Sequence, residues 1–257
     1  MTKILILSDF HTGHIGGLTH PDDQTTKLQE APWEFFDKGL KKYKPFDVVF
    51  CNGDMIDGSG FKSGGTEQIT TDRQKQSEMA VRILQHLQKR NSQPLDFFFT
   101  RGTPYHTGSG EDFEDIISKE FINKDGKHVI DNKLTVTVDE VTFNLKHKVA
   151  SSAFASRANP LIKNMINAMI AEAYQDQVKA DVFVRSHVHY FCLVETLGRL
   201  AFTTPALQFW SRYGDKECEG IVDFGFVVLD VDKGKVINLT KYINRSPVQS
   251  SKPIIWT

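Results

Sequence analysis

Aspartate and histidine residues follow several short apolar runs of this sequence, in an arrangement suited to binding metal ions. The run "KILIL" leads to Asp9 and His11, and "DVVFC" leads through Gly53 to Asp54 and Asp57. Later β-rich runs lead to further histidines, namely His106, His147, His187 and His189. Mixed carboxylate and imidazole ligands suit Mn²⁺, Fe or Zn²⁺ better than Ca²⁺ or Mg²⁺.

Taken singly, each of these patterns has an ordinary structural explanation. Asp-x-His pairs occur by chance, Gly-Asp-x-x-Asp is typical of a turn, and His-x-His is typical of a solvated strand. Together they favour a function, because carboxylates and histidines gathered at one sheet edge are destabilising without compensating cations. One aspartate can bridge two metal ions, and two adjacent metal ions of this kind bind phosphate esters. The sequence therefore predicts a dinuclear metal site.

The elements that must position these residues follow an α/β pattern. Short β-rich runs alternate in the first half with helical patterns at residues 24–44, 71–89, 111–121 and 159–178. The second half consists mostly of sequential strands, with Asp139 and Glu140 as a predicted hairpin turn. Because the carboxyl ends of strands in an open α/β sheet meet at one edge, the candidate ligands are expected to converge there.

Two of the candidate pairs are separated by a single residue. In an extended segment the side chains of residues i and i+2 point the same way. On this basis Asp9 with His11, and His187 with His189, are each expected to offer two ligands to one side of the chain.

Length and composition limit the remaining possibilities. The 257 residues carry a formal net charge of −1, so contact with nucleic acid would need a local basic patch. Neither repeats nor a linker are evident, which predicts a single domain over residues 1–257. The three cysteines form no CxxC pair, and the sequence shows neither a signal-peptide pattern nor a membrane span, which predicts a cytoplasmic protein without membrane association. The glycines near residue 60 lack a P-loop ending, which excludes that class of nucleotide triphosphatase.

The order of the motifs resembles that of the calcineurin-like metallophosphoesterase superfamily. Asp9-Phe10-His11 comes first, followed by Gly53-Asp54-Met55-Ile56-Asp57, a glycine turn that ends on a histidine, an isolated histidine and a final His-x-His. The motifs span most of the chain, and the strand-rich tail suits the second sheet of that family. The resemblance implies a mixed α/β fold of two packed mixed β-sheets flanked by helices, a four-layer sandwich.

The resemblance also implies two divalent ions, with manganese expected and iron or zinc as alternatives. The first ion would be held by Asp9, His11, Asp54 and His189. The second would be held by Asp54, His147, His187 and a side-chain oxygen from the glycine turn. The implied activity is phosphoester hydrolysis, with a nucleotide or nucleic-acid phosphodiester as the expected substrate.

The remaining catalytic roles follow from the same resemblance. A hydroxide that bridges the two ions would attack phosphorus, and Asp57 would orient the ligands. His106 would act as the general acid toward the leaving oxygen, since imidazole titrates near neutral pH. An alkoxide leaving group needs that proton, which favours a diester over a monoester substrate.

The chain departs from the family at two positions. Ser186 stands where the family has a glycine before the last His-x-His. Gly102 is separated from His106 by three residues, and Thr103 occupies the place of the family's asparagine. The hydroxyl of Thr103 is therefore a candidate ligand of the second ion, although a neutral hydroxyl is a weak one.

Arginines near the motifs are candidates for binding substrate phosphate, because the guanidinium group can donate hydrogen bonds to two phosphate oxygens at once. Arg101, Arg157 and Arg185 lie close to the motifs, and Arg157 precedes a helix that Asn159 and Pro160 are expected to start. Surface ion pairs are the alternative for each arginine.

For the whole protein, the alternatives are a phosphomonoesterase, a hydrolase with one metal, and a catalytically degenerate scaffold with a binding role. The sequence does not specify the oligomeric state.

Overall fold

A computed structural model describes residues 1–108, 113–150, 156–175, 177–212 and 222–245 of the protein. The helices are α1 (Glu30–Tyr43), α2 (Arg73–Arg90), α3 (Pro104–Thr107), α4 (Phe113–Lys119) and α5 (Ala158–Gln175). The strands are β1 (Thr2–Leu7), β2 (Val48–Asn52), β3 (Asp96–Thr100), β4 (Val129–Asp131), β5 (Leu134–Val138), β6 (Val141–Lys148), β7 (Val182–Ser186), β8 (Cys192–Thr196), β9 (Arg199–Thr203), β10 (Phe224–Asp232) and β11 (Lys235–Asn244).

The strands form two mixed sheets that pack face to face. The first has the order β11-β10-β1-β2-β3-β4, in which β1 to β4 are parallel and β10 and β11 are antiparallel additions. The second has the order β5-β6-β7-β9-β8, with β6, β7 and β9 parallel to one another. Two mixed sheets flanked by helices are the predicted fold class, and the structure confirms it.

Apolar side chains fill three layers between these elements. Between the sheets, side chains such as Ile6, Phe50 and Phe143 form one core cluster. A second cluster, which includes Phe36 and Ile83, buries α1 and α2 against the outer face of the first sheet. A third packs α5 on the outer face of the second sheet. Both sheets are thus covered on both faces, which explains why β1, β2 and β7 are nearly continuous apolar runs.

Most helices lie within about one turn of their predicted bounds. Asp72 caps α2 by accepting hydrogen bonds from the backbone N–H groups of the second and third helical residues. The prediction for α1 was wrong at its start, because a capping box between Thr26 and Gln29 forms a separate 3₁₀ turn. Residues 111 and 112 of the predicted helix 111–121, and residue 176 of the predicted helix 159–178, lie outside the described residues.

The predicted hairpin turn is confirmed. Asp139 and Glu140 both have left-handed backbone, with φ of 48° and 66°, and they join β5 to β6 as a two-residue loop.

Among the described residues, no helix is both long and apolar enough to cross a membrane. Cys51 and Cys192 are free thiols. A single domain over the whole chain stays a prediction.

Candidate metal centre

The candidate ligands converge where strands of both sheets end. Asp9 follows β1, Asp54 follows β2, His147 lies one residue before the end of β6, and His187 and His189 follow β7. Parallel pairing of β1 with β2, and of β6 with β7, places these ends at one edge of the sandwich. The convergence at a common edge is the one predicted from the sequence.

The local backbone differs from the prediction of extended Asp-x-His and His-x-His pairs. That prediction was wrong, because five candidate ligands have left-handed φ values: 52° for Asp9, 47° for His11, 51° for Asp54, 77° for His187 and 55° for His189. Non-glycine residues seldom adopt this conformation, which costs energy and concentrates at functional sites. The chain turns sharply at each strand end, and these turns bring the side chains together.

One group of ligand atoms forms around Asp9. Its carboxylate lies with His11 and His189 so that one donor atom of each is within 4.8 Å of the others. Asp9 Oδ1 is 3.3 Å from His189 Nε2 and 4.0 Å from His11 Nε2. All three side chains are largely buried. These residues can hold a metal ion.

A second group forms around Asp54, with His147 and His187. Asp54 Oδ2 lies 2.9 Å from His147 Nε2 and 3.8 Å from His187 Nδ1. The two groups are neighbours, since His147 Nε2 is also 3.9 Å from Asp9 Oδ1. The predicted sharing of Asp54 between two ions is not tested by this geometry and stays a prediction.

Two buried polar atoms at the junction of these groups indicate that a cation fits there. Within the described residues, Asp9 Oδ1 and His147 Nε2 form no hydrogen bond of favourable geometry, and their near neighbours are other candidate ligands, such as Asp54 Oδ2 at 2.9 Å from His147 Nε2. His147 Nδ1 donates to the carbonyl oxygen of Asn52 at 2.7 Å, which leaves Nε2 to face the carboxylates. Buried polar atoms without partners are costly, and a divalent ion would satisfy both of them.

Burial and charge act against each other in this cluster. Burial disfavours ionised Asp9, but His189 and His147 outweigh it and lower the pKa of Asp9 to about 2. The pKa of Asp54 is lowered well below its ordinary value, because His147 and His106 overcome the effect of burial. Both carboxylates are therefore ionised at neutral pH and available to a cation.

Asp57 orients two histidines at once. Its Oδ1 accepts a hydrogen bond from His11 Nδ1 at 2.9 Å, which directs His11 Nε2 toward the Asp9 group. Burial, together with the neighbouring His106, lowers the pKa of His11 to about 4, so His11 is a neutral ligand at pH 7. The carbonyl oxygen of Asp57 accepts from His106 Nδ1 at 2.7 Å. His106 Nδ1 therefore carries a proton, and Nε2, which lies 3.9 Å from Asp54 Oδ2, is the ring nitrogen left for proton exchange.

Thr103 contacts Asp54 through both of its donors. Its backbone N–H donates to Asp54 Oδ1 at 2.7 Å, and its hydroxyl donates to the same oxygen at 3.2 Å. These bonds hold the Asp54 carboxylate from the side of β3. The role of Thr103 as a metal ligand stays a prediction, and the contacts give it a second role in orienting Asp54.

The three arginines have different surroundings. Arg101 forms a bidentate ion pair with Asp115 on α4, at 2.8 Å for both bonds. Arg185 is 2% exposed and bonds to Asn144 and Asn164, which assigns it to packing rather than to substrate. The guanidinium of Arg157 lies 4.1 Å from the centre of the Tyr190 ring, next to His189 in sequence. Substrate binding by Arg101 and Arg157 stays a prediction.

Comparisons with known proteins found solved structures of low sequence identity. No family model matches the chain, and no curated protein matches it. An archaeal phosphodiesterase is 14% identical over 93% of this chain and 99% of its own, with a TM-score of 0.45. Vps29 of Entamoeba histolytica, complexed with Zn²⁺, is 11% identical over 94% and 99%, with a TM-score of 0.43. A predicted phosphoesterase of Streptococcus pneumoniae is 12% identical over 90% and 83%, with a TM-score of 0.37.

The fold resembles that of metallophosphoesterases. The layered sheets and the order of the motifs along the chain are the features of this molecule that agree with the resemblance. Identities of 11–14% do not bear on activity.

Two glycines are required by the close packing around the ligands. A Cβ on Gly53, whose φ is +81°, would lie 2.6 Å from the His147 ring. A Cβ on Gly102 would lie 2.1 Å from Asp54 Oδ1. Glycine at both positions lets the ligands of the second group approach the backbone.

Glu114 is a contributor to the site that sequence reasoning missed. Its buried carboxylate on α4 accepts hydrogen bonds from the backbone N–H of Met55 at 2.8 Å and of Gly102 at 2.6 Å. It therefore joins the loop after β2 to the loop after β3. Burial, with the nearby charge of Asp54, raises the pKa of Glu114 to about 7. Because the contact is made to backbone groups, no spacing pattern in the sequence signals it.

Metal binding is expected to tighten with rising pH. In the metal-free chain burial lowers the pKa of His147, but Asp54 and Asp9 outweigh that effect and raise it to about 10. A metal ion must displace this proton, so below pH 10 the apparent affinity should rise roughly tenfold per pH unit for that proton. Calorimetric titration with Mn²⁺ between about pH 6 and pH 8, in buffers of different ionisation enthalpy, measures affinity and proton release together. An affinity independent of pH would contradict the assignment of His147.

Proposed function

We propose that this protein is a metal-dependent phosphodiesterase that acts on nucleotide or nucleic-acid phosphodiesters. The observation that supports this most directly is the pair of neighbouring Asp/His groups, in which two buried atoms lack a hydrogen bond of favourable geometry. Mixed carboxylate and imidazole donors favour Mn²⁺, with Fe and Zn²⁺ as alternatives. Two bound divalent ions would polarise the phosphoryl group and bring the pKa of a water molecule toward neutrality.

The residues of the first ion are proposed to be Asp9, His11, Asp54 and His189. Those of the second are proposed to be Asp54, His147, His187 and, as an additional oxygen donor, Thr103. Support comes from the direction of the ring nitrogens. His11 and His147 each use Nδ1 for a hydrogen bond to the protein, so each presents Nε2 to the centre.

His106 is proposed to give its Nε2 proton to the leaving oxygen. The Asp57 carbonyl occupies Nδ1, so that one ring nitrogen is fixed and the other is available for proton transfer. The His106 side chain is 16% exposed, which lets a substrate reach it, whereas Asp54 beneath it is 1% exposed. A proton donor above the two proposed metal ions suits the alkoxide leaving group of a diester.

Arg157 is proposed to bind a substrate phosphate oxygen. Stacking on the ring of Tyr190, the residue that follows His189 in sequence, holds its guanidinium at the N-terminal end of α5. The substrate class and the cytoplasmic location are predictions from the sequence alone.

An activity grid tests this function. The chain is assayed with Mn²⁺, Fe²⁺, Zn²⁺, Mg²⁺ and Ca²⁺ against a phosphomonoester, an activated phosphodiester, cyclic nucleotides and single- and double-stranded DNA. We expect Mn²⁺ to stimulate hydrolysis of the diester more than that of the monoester. A preference for the monoester would overturn the diester proposal. Inactivity with every metal, together with less than one tightly bound ion per chain, would favour a binding scaffold.

A further inference from the structure

Small polar residues lie one or two positions before several of the candidate ligands. Ser8 precedes Asp9, Asn52 lies two residues before Asp54, and Ser186 precedes His187. Their side chains are fully buried, at 0% exposure. Each stands at or just beyond the end of the strand that delivers the next ligand. Buried polar side chains in three separate strand ends need hydrogen-bond partners, and they find them in one another.

These residues join with Thr100 and Thr204 in a continuous set of hydrogen bonds, here named the buried polar chain. The Thr100 hydroxyl donates to Asn52 Oδ1 at 2.7 Å, and Asn52 Nδ2 donates to Ser186 Oγ at 2.6 Å. Ser186 Oγ lies 2.7 Å from Thr204 Oγ1, which lies 2.6 Å from Ser8 Oγ. Ser8 Oγ donates to the Pro205 carbonyl oxygen at 3.2 Å.

Every hydroxyl in the buried polar chain has both a donor and an acceptor within reach. The carbonyl oxygens of Pro205 and Arg185 can only accept, and they lie 3.2 Å from Ser8 Oγ and 3.3 Å from Thr204 Oγ1. Ser186 accepts from Asn52 and shares a hydrogen bond with Thr204, which shares another with Ser8. Fully satisfied buried networks of this kind rigidify the groups that they connect.

The buried polar chain crosses between the two sheets. Thr100 and Asn52 belong to β3 and β2 of the first sheet, Ser186 belongs to β7 of the second, and Ser8 follows β1 of the first. Asn52 makes two more links to β6, because its amide donates to the Lys146 carbonyl and its carbonyl accepts from His147 Nδ1. Each group of ligand atoms combines both sheets, because its aspartate follows a strand of the first sheet and at least one of its histidines lies on or after a strand of the second. The geometry within each group therefore depends on how the sheets are held at this edge.

We propose that Asn52, Ser186 and Thr204 are positioning residues that set the relative placement of the aspartate and histidine ligands. The inference rests on the proposed function only in taking the Asp/His groups to bind metal. It also accounts for serine at position 186, since the hydroxyl that glycine lacks is the link between Asn52 and Thr204. Breaking the buried polar chain should loosen the His147 and His187 side of the centre.

A matched pair of substitutions at Thr204 tests the proposal in the full chain. Thr204→Val keeps the shape but removes the hydroxyl, whereas Thr204→Ser keeps the hydroxyl. Thr142→Val is the control, because it removes a buried hydroxyl on β6 that bonds to Thr137 on β5, away from the centre. Ser186→Ala provides a second break in case the valine variant does not fold.

Mn²⁺ affinity is measured by calorimetry, and the visible spectrum of the Co²⁺-loaded protein reports ligand geometry independently of stability. Thr204→Val and Ser186→Ala should weaken Mn²⁺ binding by roughly 10- to 100-fold and alter the Co²⁺ spectrum, the usual effect of losing residues that support ligands. Thr204→Ser and Thr142→Val should stay within about threefold of wild type. Wild-type affinity and a wild-type Co²⁺ spectrum in both Thr204→Val and Ser186→Ala would overturn the inference and leave the proposed function standing. A wild-type protein that binds no divalent ion would overturn the proposed function, and this inference with it.

Discussion

Asp54→Asn is expected to abolish metal-dependent hydrolysis of an activated phosphodiester. The Thr103 backbone N–H requires an acceptor, so the asparagine oxygen takes the place of Oδ1 and the amide nitrogen takes the place of Oδ2. That nitrogen then faces His147 and His187, where it cannot bind a cation. Metal stabilisation of the transition state is worth several kcal/mol, and about 1.4 kcal/mol is a factor of ten, so the rate should fall about 1,000-fold or more.

The measurement is the Mn²⁺-dependent rate on bis(p-nitrophenyl) phosphate, with the metal content of each sample determined in parallel. Asp125→Asn is the control, since that aspartate is exposed and caps a loop through the Lys127 backbone. It should leave the rate unchanged. Full activity in the Asp54 variant would exclude the Asp/His groups as the reaction centre.

His106→Asn is expected to affect substrates according to their leaving group. The asparagine amide can still donate to the Asp57 carbonyl, while the proton-bearing Nε2 is lost. An alkoxide leaving group needs that proton, so the rate on a dinucleotide should fall roughly 100- to 10,000-fold. The p-nitrophenolate group leaves without protonation, and its rate should fall less than about tenfold.

Both rates are measured on the same preparation, and their ratio removes effects on folding or metal content. Tyr105→Phe is a matched control beside His106, because it removes only a hydroxyl from the ring that contacts the imidazole. Equal losses on both substrates in His106→Asn would show that His106 organises the site rather than donating the proton.

Much of the fold could be predicted because the β-strand pattern is strong and the turn residues between the strands are clear. The β-rich runs and the Asp139-Glu140 turn correspond to observed strands and a hairpin. β4 was missed, because its three residues Val129–Asp131 are too few to show a pattern and are held by pairing with β3. The short helix α3 was missed for the same reason, since the sequence around Pro104 reads as a turn.

The grouping of the site could be predicted from strand ends, but its backbone could not. Left-handed conformations at Asp9 and His187 oppose the intrinsic preference of those residues, so only the surrounding structure selects them. Glu114 acts on backbone N–H groups from a separate helix, a contact without a sequence signature. Sequence reasoning treated Ser186 only as a departure from the glycine of the family. The hydrogen bonds of its hydroxyl to Asn52 and Thr204 are evident only in the structure.

Anomalous scattering from Mn²⁺-soaked crystals tests the central claim most directly. Data collected on both sides of the manganese absorption edge count the ions and place each one. The account predicts two peaks per chain, one among Asp9, His11 and His189 and one among Asp54, His147 and His187. A single peak at the first group would indicate a one-metal hydrolase. Peaks elsewhere, or none in crystals soaked above the calorimetric dissociation constant, would contradict the dinuclear centre.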